Sequence, residues 1–388
     1  MAPSIAQRGR VPPFIVMDVM RAANERAAEG ADVLHLEVGQ PATGAPEPVL
    51  EAARRALAAS QLGYTDALGL ESLRRRIARH YGETCGIDVD WRRIVVTTGS
   101  SGAFILAFLA AFEAGDRVAV GCPGYPAYRN ILAALGVQVM AVPVGPETNF
   151  QPTPDLLNDA GRQSSEDFAL KGLIVASPAN PTGTVLSRDA LQALVAHCRE
   201  RSLWLVSDEI YHGIVYGEPV STALALTADA IVINSFSKYF CMTGWRLGWM
   251  VLPERLLRSV ECLAQNLFIS PPALSQHAAA VAFDCRAELD RNVARYAENR
   301  RLLLQELPRA GFASFAAADG AFYLYADVSD MTSDSQAFCR RMLQETGVAI
   351  TPGLDFDPEQ GHRFVRFSFA GSREDIAEAA RRLVAWRR

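Results

Sequence analysis

The stretch Ser235-Phe236-Ser237-Lys238-Tyr239-Phe240-Cys241-Met242-Thr243-Gly244-Trp245-Arg246 sets one amine, Lys238, between two serines and an arginine. The chain has 38 Lys and Arg residues, of which only Lys171 and Lys238 are lysines. Its positive charge is therefore carried almost wholly by guanidinium. A lysine kept in an apolar, Ser-flanked segment asks for a chemical reason. An amine can lose its proton and attack a carbonyl, whereas a guanidinium cannot. Ser235, Ser237 and Arg246 add two hydroxyls and a planar cation, a strong ligand set for a dianion. The plain alternative is a surface lysine with accidental neighbours.

Three other segments tell against accident. Leu203-Trp204-Leu205-Val206-Ser207-Asp208-Glu209-Ile210-Tyr211 reads as an apolar strand that delivers Asp208 to its C-terminal end, with Tyr211 three residues on. A carboxylate there is costly without a cationic partner. The bland reading is a helix N-cap and a core tyrosine. Ser177-Pro178-Ala179-Asn180-Pro181-Thr182-Gly183 follows a strand at 173–177. Asn180 offers a donor and an acceptor, the prolines stiffen the loop, and either X-Pro bond is a candidate for cis. Ile94–Thr98 is a β-branched strand that runs into Gly99-Ser100-Ser101-Gly102, then an apolar helix over 103–112. Small residues at a helix start expose N–H groups that favour an anion; a simple tight turn explains them equally. In open α/β sheets, ligands sit at the C-terminal ends of strands. An amine, phosphate ligands, a carboxylate, a phenol and an amide together specify a bound phosphorylated aldehyde with a basic ring nitrogen.

The pattern around these segments alternates. Strands are predicted at 33–36, 117–120, 138–142, 230–235 and 248–251, and helices from about 17, at 47–60, 70–81, 126–135, 188–201 and, long and continuous, 254–306. Pro271-Pro272 should break or kink that last helix. Alternating apolar strands and helices predict an α/β fold, a mostly parallel sheet covered by helices on both faces. From about 312 the pattern becomes a smaller α+β unit, with strands at 321–325, 348–350 and 364–368 and helices at 333–346 and 373–386. The expected division is a large domain at 41–285 and a small domain made of 1–40 with 286–388.

Composition excludes several function classes. The chain has 388 residues, 49% hydrophobic and 21% charged, with a net charge of −5, an ordinary globular balance. No basic arm points to nucleic acid; Arg381-Arg382 and Arg387-Arg388 read as a solvated final helix. No apolar run approaches the roughly 20 residues of a membrane span, and Met1-Ala2-Pro3-Ser4 does not open a secretory signal. Seven cysteines without a C-x-x-C pair fit reduced thiols in a cytoplasmic protein. Six histidines without zinc-like spacing predict no metal.

These motifs carry a resemblance. S-x-S-K-x(5)-G-W-R, S-P-A-N-P-T-G and D-E-I-Y resemble the class I/II aminotransferases, pyridoxal 5'-phosphate-dependent enzymes of fold type I. The resemblance covers nearly the whole length, and is similar to the bacterial aspartate, aromatic and broad-specificity branch. It implies that Lys238 is the Schiff-base lysine and proton carrier. Asp208 would pair with the pyridine nitrogen, and Tyr211 and Asn180 with the phenolic oxygen. Ser235, Ser237, Arg246 and the backbone of Ser101-Gly102 would hold the phosphate. Tyr125 would stack on the ring. Tyr64 would reach the phosphate of a neighbouring subunit, implying a homodimer with shared sites. Arg366, in Arg363-Phe364-Val365-Arg366-Phe367-Ser368, and the backbone of Gly39 would bind the substrate α-carboxylate. The implied reaction moves an amino group from an L-amino acid to a 2-oxo acid in ping-pong order.

Substrate choice is less legible. An acidic donor needs a second cation, and Gln265 stands where one branch of the family carries an arginine. Phe14, Ile15, Phe268 and Ile269 are apolar candidates for the entrance, although they serve equally as interface packing. The reading leans to neutral or aromatic donors. A pyridoxal-phosphate C–S β-lyase on the same scaffold is the alternative within the family. A regulatory protein of aminotransferase-like fold would need a DNA-binding module, for which the residues before the first motif are too few.

Overall fold

The computed structural model describes residues 3–59, 62–163 and 170–386. In chain order the first elements are α1 (Ile15–Ala28), β1 (Leu34–His35), α2 (Glu47–Ala58), α3 (Glu71–Cys85), β2 (Ile94–Thr97) and α4 (Gly99–Ala111). Then come β3 (Arg117–Cys122), α5 (Pro126–Ala134), β4 (Gln138–Pro143), α6 (Pro154–Gln163), β5 (Leu170–Ala176) and α7 (Arg188–Glu200). They are followed by β6 (Trp204–Asp208), β7 (Ile231–Ser235), β8 (Gly248–Val251), α8 (Glu254–Leu267), α9 (Ala273–Ala282) and α10 (Arg286–Glu306). The chain closes with β9 (Ser314–Phe315), β10 (Tyr323–Asp327), α11 (Ser335–Thr346), β11 (Val348–Ala349), β12 (Thr351–Pro352), β13 (Phe364–Ser368) and α12 (Arg373–Trp386).

Seven strands form one sheet in the order β2-β8-β7-β6-β5-β3-β4. Only β8 runs against the others, antiparallel to both β2 and β7. Side chains alternate across this sheet, as strand geometry requires. Val96, Leu173, Val175, Leu205, Val232 and Trp249 enter one apolar layer, under α2, α3, α7 and α9. Val95, Ile174, Val206, Ile231, Ile233 and Met250 enter the other, under α4, α5 and α8. Each fully buried aliphatic side chain contributes about 1.5–3 kcal/mol, and burial on both faces explains why these strands read as continuous apolar runs. The predicted α/β class is thus the observed one.

A second sheet, β12-β13-β10-β9, is antiparallel, and β1 pairs in parallel with β11. Its core joins Leu36, Phe322, Leu324, Val365 and Phe367 to α11 and α12. The N-terminal segment is tied to this unit: the Asp355 carboxylate accepts from the Ile15 and Val16 amides at 2.9 and 3.1 Å.

Several boundaries differ from the sequence expectation. The helix expected over 254–306 is three helices. Pro271-Pro272 stops one, as foreseen, and the turn at Phe283–Cys285 separates the other two. The helix expected from Ala103 starts at Gly99, so the small residues form its first turn rather than a loop before it. The strand expected at 321–325 begins at Tyr323, because Ala321 has a left-handed φ of 54°. The 348–350 strand divides into β11 and β12, and α6 was not anticipated. The 47–60 helix ends at Ala58; Ser60, Arg387 and Arg388 lie outside the described residues.

Candidate active site

The C-terminal ends of the central strands converge on one cavity. Strand β6 ends in Asp208, β5 leads into the Asn180 loop, β3 into Tyr125, and β7 into Ser235, Ser237 and Lys238. The cavity wall holds Gly39, Ser101, Tyr125, Asn180, Asp208, Tyr211, Ser237, Lys238, Arg246 and Arg366. Ser235 and Gly102 lie buried just behind it. Tyr64 is elsewhere, 84% exposed on the surface. Both peptide bonds in the Asn180 loop, Ser177-Pro178 and Asn180-Pro181, are cis.

Lys238 donates from Nζ to the Gly39 carbonyl at 2.8 Å. Burial first, then the positive charges of Arg366 and Arg246, lower its pKa to about 8. Ser237 Oγ lies 2.9 Å from Ser235 Oγ, and the Ser237 amide donates to Ser235 Oγ at 3.0 Å. Arg246 adopts a left-handed φ of 50° and donates to the Thr243 carbonyl at 3.1 Å. Its guanidinium lies against Gly99: a Cβ there would fall 2.6 Å from Nη2. The N-cap residue Thr98 makes no side-chain capping bond to the first turn of α4, whose leading amides have no intrahelical partner.

Asp208 ends β6 at the wall of the cavity. It is 2% exposed, and its direct partners are neutral donors: the Tyr128 hydroxyl on Oδ2 and the Ile210 amide on Oδ1 at 3.1 Å. Burial pushes its pKa up to about 6, and these two donors oppose that rise. Tyr211 meets Tyr323, hydroxyl to hydroxyl, at 2.7 Å. Arg366 is 2% exposed. It donates to Asn180 Oδ1 at 2.8 Å and to the Glu37 carbonyl, and lies 4.2 Å over the Tyr323 ring. Gly39 admits no side chain, because a Cβ would sit 1.7 Å from the Tyr323 hydroxyl.

Tyr128 and Tyr323 were not foreseen. Tyr128 stands three residues after Tyr125, on the first turn of α5, where it reads as an ordinary core aromatic. Tyr323 reads as an apolar strand position. Of the four entrance candidates only Phe14 lines the cavity, with Val16, Met17 and Val38, and its ring meets Tyr125 edge-on at 5.7 Å. Phe268 packs near the first turn of α4, and Gln265 and Ile269 are exposed.

Comparison with known proteins settles the family. Residues 31–383 match the family described as aminotransferase class I and II. The chain belongs to that family. It is 54% identical to a valine–pyruvate aminotransferase of Mycobacterium tuberculosis, over 100% of this chain and 99% of the relative. It is 33% identical to an aspartate aminotransferase of Thermotoga maritima, over 96% of each chain. Its fold superposes on a crystal structure of an aminotransferase from Mycobacterium tuberculosis with a TM-score of 0.95 at 53% identity, covering 99% of both chains. A Thermus thermophilus aspartate aminotransferase with maleate gives 0.92 at 31% identity, covering 99% of this chain and 100% of that one. This aminotransferase is pyridoxal-phosphate-dependent and acts on amino acid and 2-oxo acid substrates. No helix among its described residues is long and apolar enough to cross a membrane.

Proposed function

We propose that this aminotransferase takes neutral, apolar amino donors and that the residues on the cavity wall carry the roles implied by the motifs. The observation that carries the substrate reading is the charge count of the wall. Among the described residues its cations are Lys238, Arg246 and Arg366, each with a role already. None is left for a second substrate carboxylate, and Phe14, Val16, Met17 and Val38 offer apolar surface instead. The 54% identical relative is named for valine and pyruvate.

The donor set fits pyridoxal phosphate. Asp208 is the one carboxylate on the described cavity wall, the α4 amides are uncapped, and Gly99 leaves room for Arg246. When bound, the cofactor supplies an aldehyde that condenses with amines and a ring that accepts electron density. Ser235, Ser237, Arg246 and the Ser101-Gly102 amides hold its phosphate. Asp208 keeps the ring nitrogen protonated, Tyr211 and Asn180 bond the phenolic oxygen, and Tyr125 covers the ring. Arg366 and the Gly39 backbone hold the substrate α-carboxylate. Lys238 moves the proton from the substrate Cα, as base and then acid. Domain organisation follows the same reading, a cofactor-binding unit at 41–285 and a smaller unit from 1–40 and 286–388, supported by the two larger sheets, one built from strands between 94 and 251 and the other from strands between 314 and 368. Cytoplasmic residence fits the seven free thiols.

A half-reaction screen tests the substrate reading. The yellow holoenzyme is mixed with single amino acids and its absorbance change followed. Valine or alanine should react with a higher kcat/KM than aspartate; the reverse order overturns the proposal. Release of ammonia and pyruvate from a cysteine conjugate without an oxo-acid acceptor would favour the β-lyase.

Two further outcomes are expected. Only the free amine attacks an aldehyde, so capture of pyridoxal phosphate by the cofactor-free protein should accelerate with pH through about 8 and then level off. At pH 7 it should run about tenfold below the plateau. Stopped-flow absorbance reads this; a rate flat from pH 6 to 9 contradicts the role of Lys238. Tyr64 is proposed to complete the site of a second subunit, in a homodimer whose contact includes the exposed Leu57, Leu267 and Ile269. Tyr64→Ala should weaken cofactor binding about tenfold with little change in Tm. Fluorescence titration and light scattering check the affinity and the dimer.

A further inference from the structure

A histidine–carboxylate pair stands behind Arg366 without lining the cavity. The Glu37 side chain is fully buried, its Oε1 lies 2.8 Å from His35 Nδ1, and its Oε2 has no partner. The His35 side chain is 37% exposed. Positions two apart on an extended segment share one face, which brings the two side chains together. The main chain of the same segment serves the site. The Glu37 carbonyl accepts from Arg366 Nη2 and, at 2.8 Å, from Thr351 Oγ1. Two residues on, the Gly39 carbonyl accepts from Lys238.

A buried carboxylate with one partner and one free oxygen is costly, and an apolar residue of similar size would cost less. Packing gives no reason for it, since the neighbouring Leu34 and Leu36 are ordinary core residues. We propose that the His35–Glu37 pair is a positioning element for substrate binding: it anchors residues 35–39 so that the Glu37 carbonyl aims Arg366 at the substrate carboxylate. The inference rests on the assignment of Arg366 to that carboxylate.

The groups that bear on the imidazole are Glu37 on its own segment and Asp375 from α12. Strand β11, paired with β1, contributes the uncharged Val348 and Ala349. The hydrogen bond to Glu37 raises His35 above its ordinary 6.5, against burial, and the charges of Glu37 and Asp375 add to the rise. The charged pair is therefore intact at pH 6.5 and is lost as the pH climbs through the raised value.

The test compares holoenzymes of wild type, His35→Gln, Glu37→Gln and Arg366→Gln. The probe is isovalerate, a branched carboxylate without the reacting amine, and its Kd is read from the absorbance of the bound cofactor. At pH 6.5, His35→Gln should weaken isovalerate about fivefold, with KM for the donor rising in step and kcat changing less than about twofold. Glu37→Gln, which keeps the shape and loses the charge, should do the same. The ratio of variant to wild-type Kd should shrink towards one as the pH rises, because the wild type then loses its own pair. Wild-type Kd in both variants overturns the proposal. So does a loss of affinity that merely accompanies a fall in Tm and an equal fall in kcat, the mark of a structural role. Arg366→Gln separates the two readings. If it binds isovalerate as wild type does, the carboxylate assignment fails and takes the inference with it. If it loses isovalerate while His35→Gln does not, only the inference fails.

Discussion

Replacing Lys238 with alanine is expected to lower transamination by at least about 10⁴-fold, the upper range for loss of a positioned acid–base group. No other amine can take over. The second lysine, Lys171, is exposed at the start of β5, the end of the strand away from the cavity. The arginines on the wall hold their protons too firmly to serve as base. The fold should survive. Among the described residues the Lys238 side chain makes one hydrogen bond, to the Gly39 carbonyl, and alanine removes a cation that burial already disfavours. Steady-state transamination and a thermal melt of the cofactor-free protein check this together. Near-wild-type turnover from a folded variant would sink the assignment.

Asp208→Asn should slow the single-turnover half-reaction by about 10³-fold or more, by analogy with carboxylates that hold a catalytic proton in place. Asparagine is nearly isosteric, so its carbonyl oxygen can still accept from Tyr128 or the Ile210 amide. What it loses is the negative charge proposed to keep the ring nitrogen protonated, and cofactor affinity should fall as well. The cofactor-free protein has a second signature. Burial raises Asp208 from 3.8 to about 6, so the folded state binds a proton more tightly than the unfolded chain does. Stability from this group is lost as the pH rises from near 4 through 6. The variant escapes that loss, so cofactor-free Asp208→Asn should gain stability relative to wild type above pH 6. Stopped-flow absorbance and melts at two pH values read both effects; an unchanged single-turnover rate contradicts the role.

Much of the α/β layout was legible because it rests on short-range pattern. Apolar runs such as Leu205-Val206 and Ile231-Val232-Ile233 mark strands buried on two faces, and Pro271-Pro272 marks a real break. The errors lie where local signals compete. Gly99 reads as a turn but starts a helix; its left-handed φ of 69° and the Arg246 guanidinium against it are what require a glycine there. The second break in the long helix, at 283–285, has no proline, and apolar periodicity runs through it.

The same division holds at the site. Sequence alone determined the class of chemistry, since the amine, both serines and the arginine proposed to bind the phosphate lie within one stretch of twelve residues, and local chain geometry keeps such neighbours together. Tertiary structure alone decided what surrounds them. Asp208 meets Tyr128 across 80 positions, Tyr211 meets Tyr323 across 112, and Arg366 reaches Asn180 across 186 and Glu37 across 329. Those contacts depend on packing two sheets and the N-terminal segment against each other. No periodicity or spacing in the chain encodes which buried hydroxyl finds a buried carboxylate. The identity of Asp208's partner, the aim of Arg366 and the apolar wall from Phe14 to Val38 therefore appear only once the chain is folded.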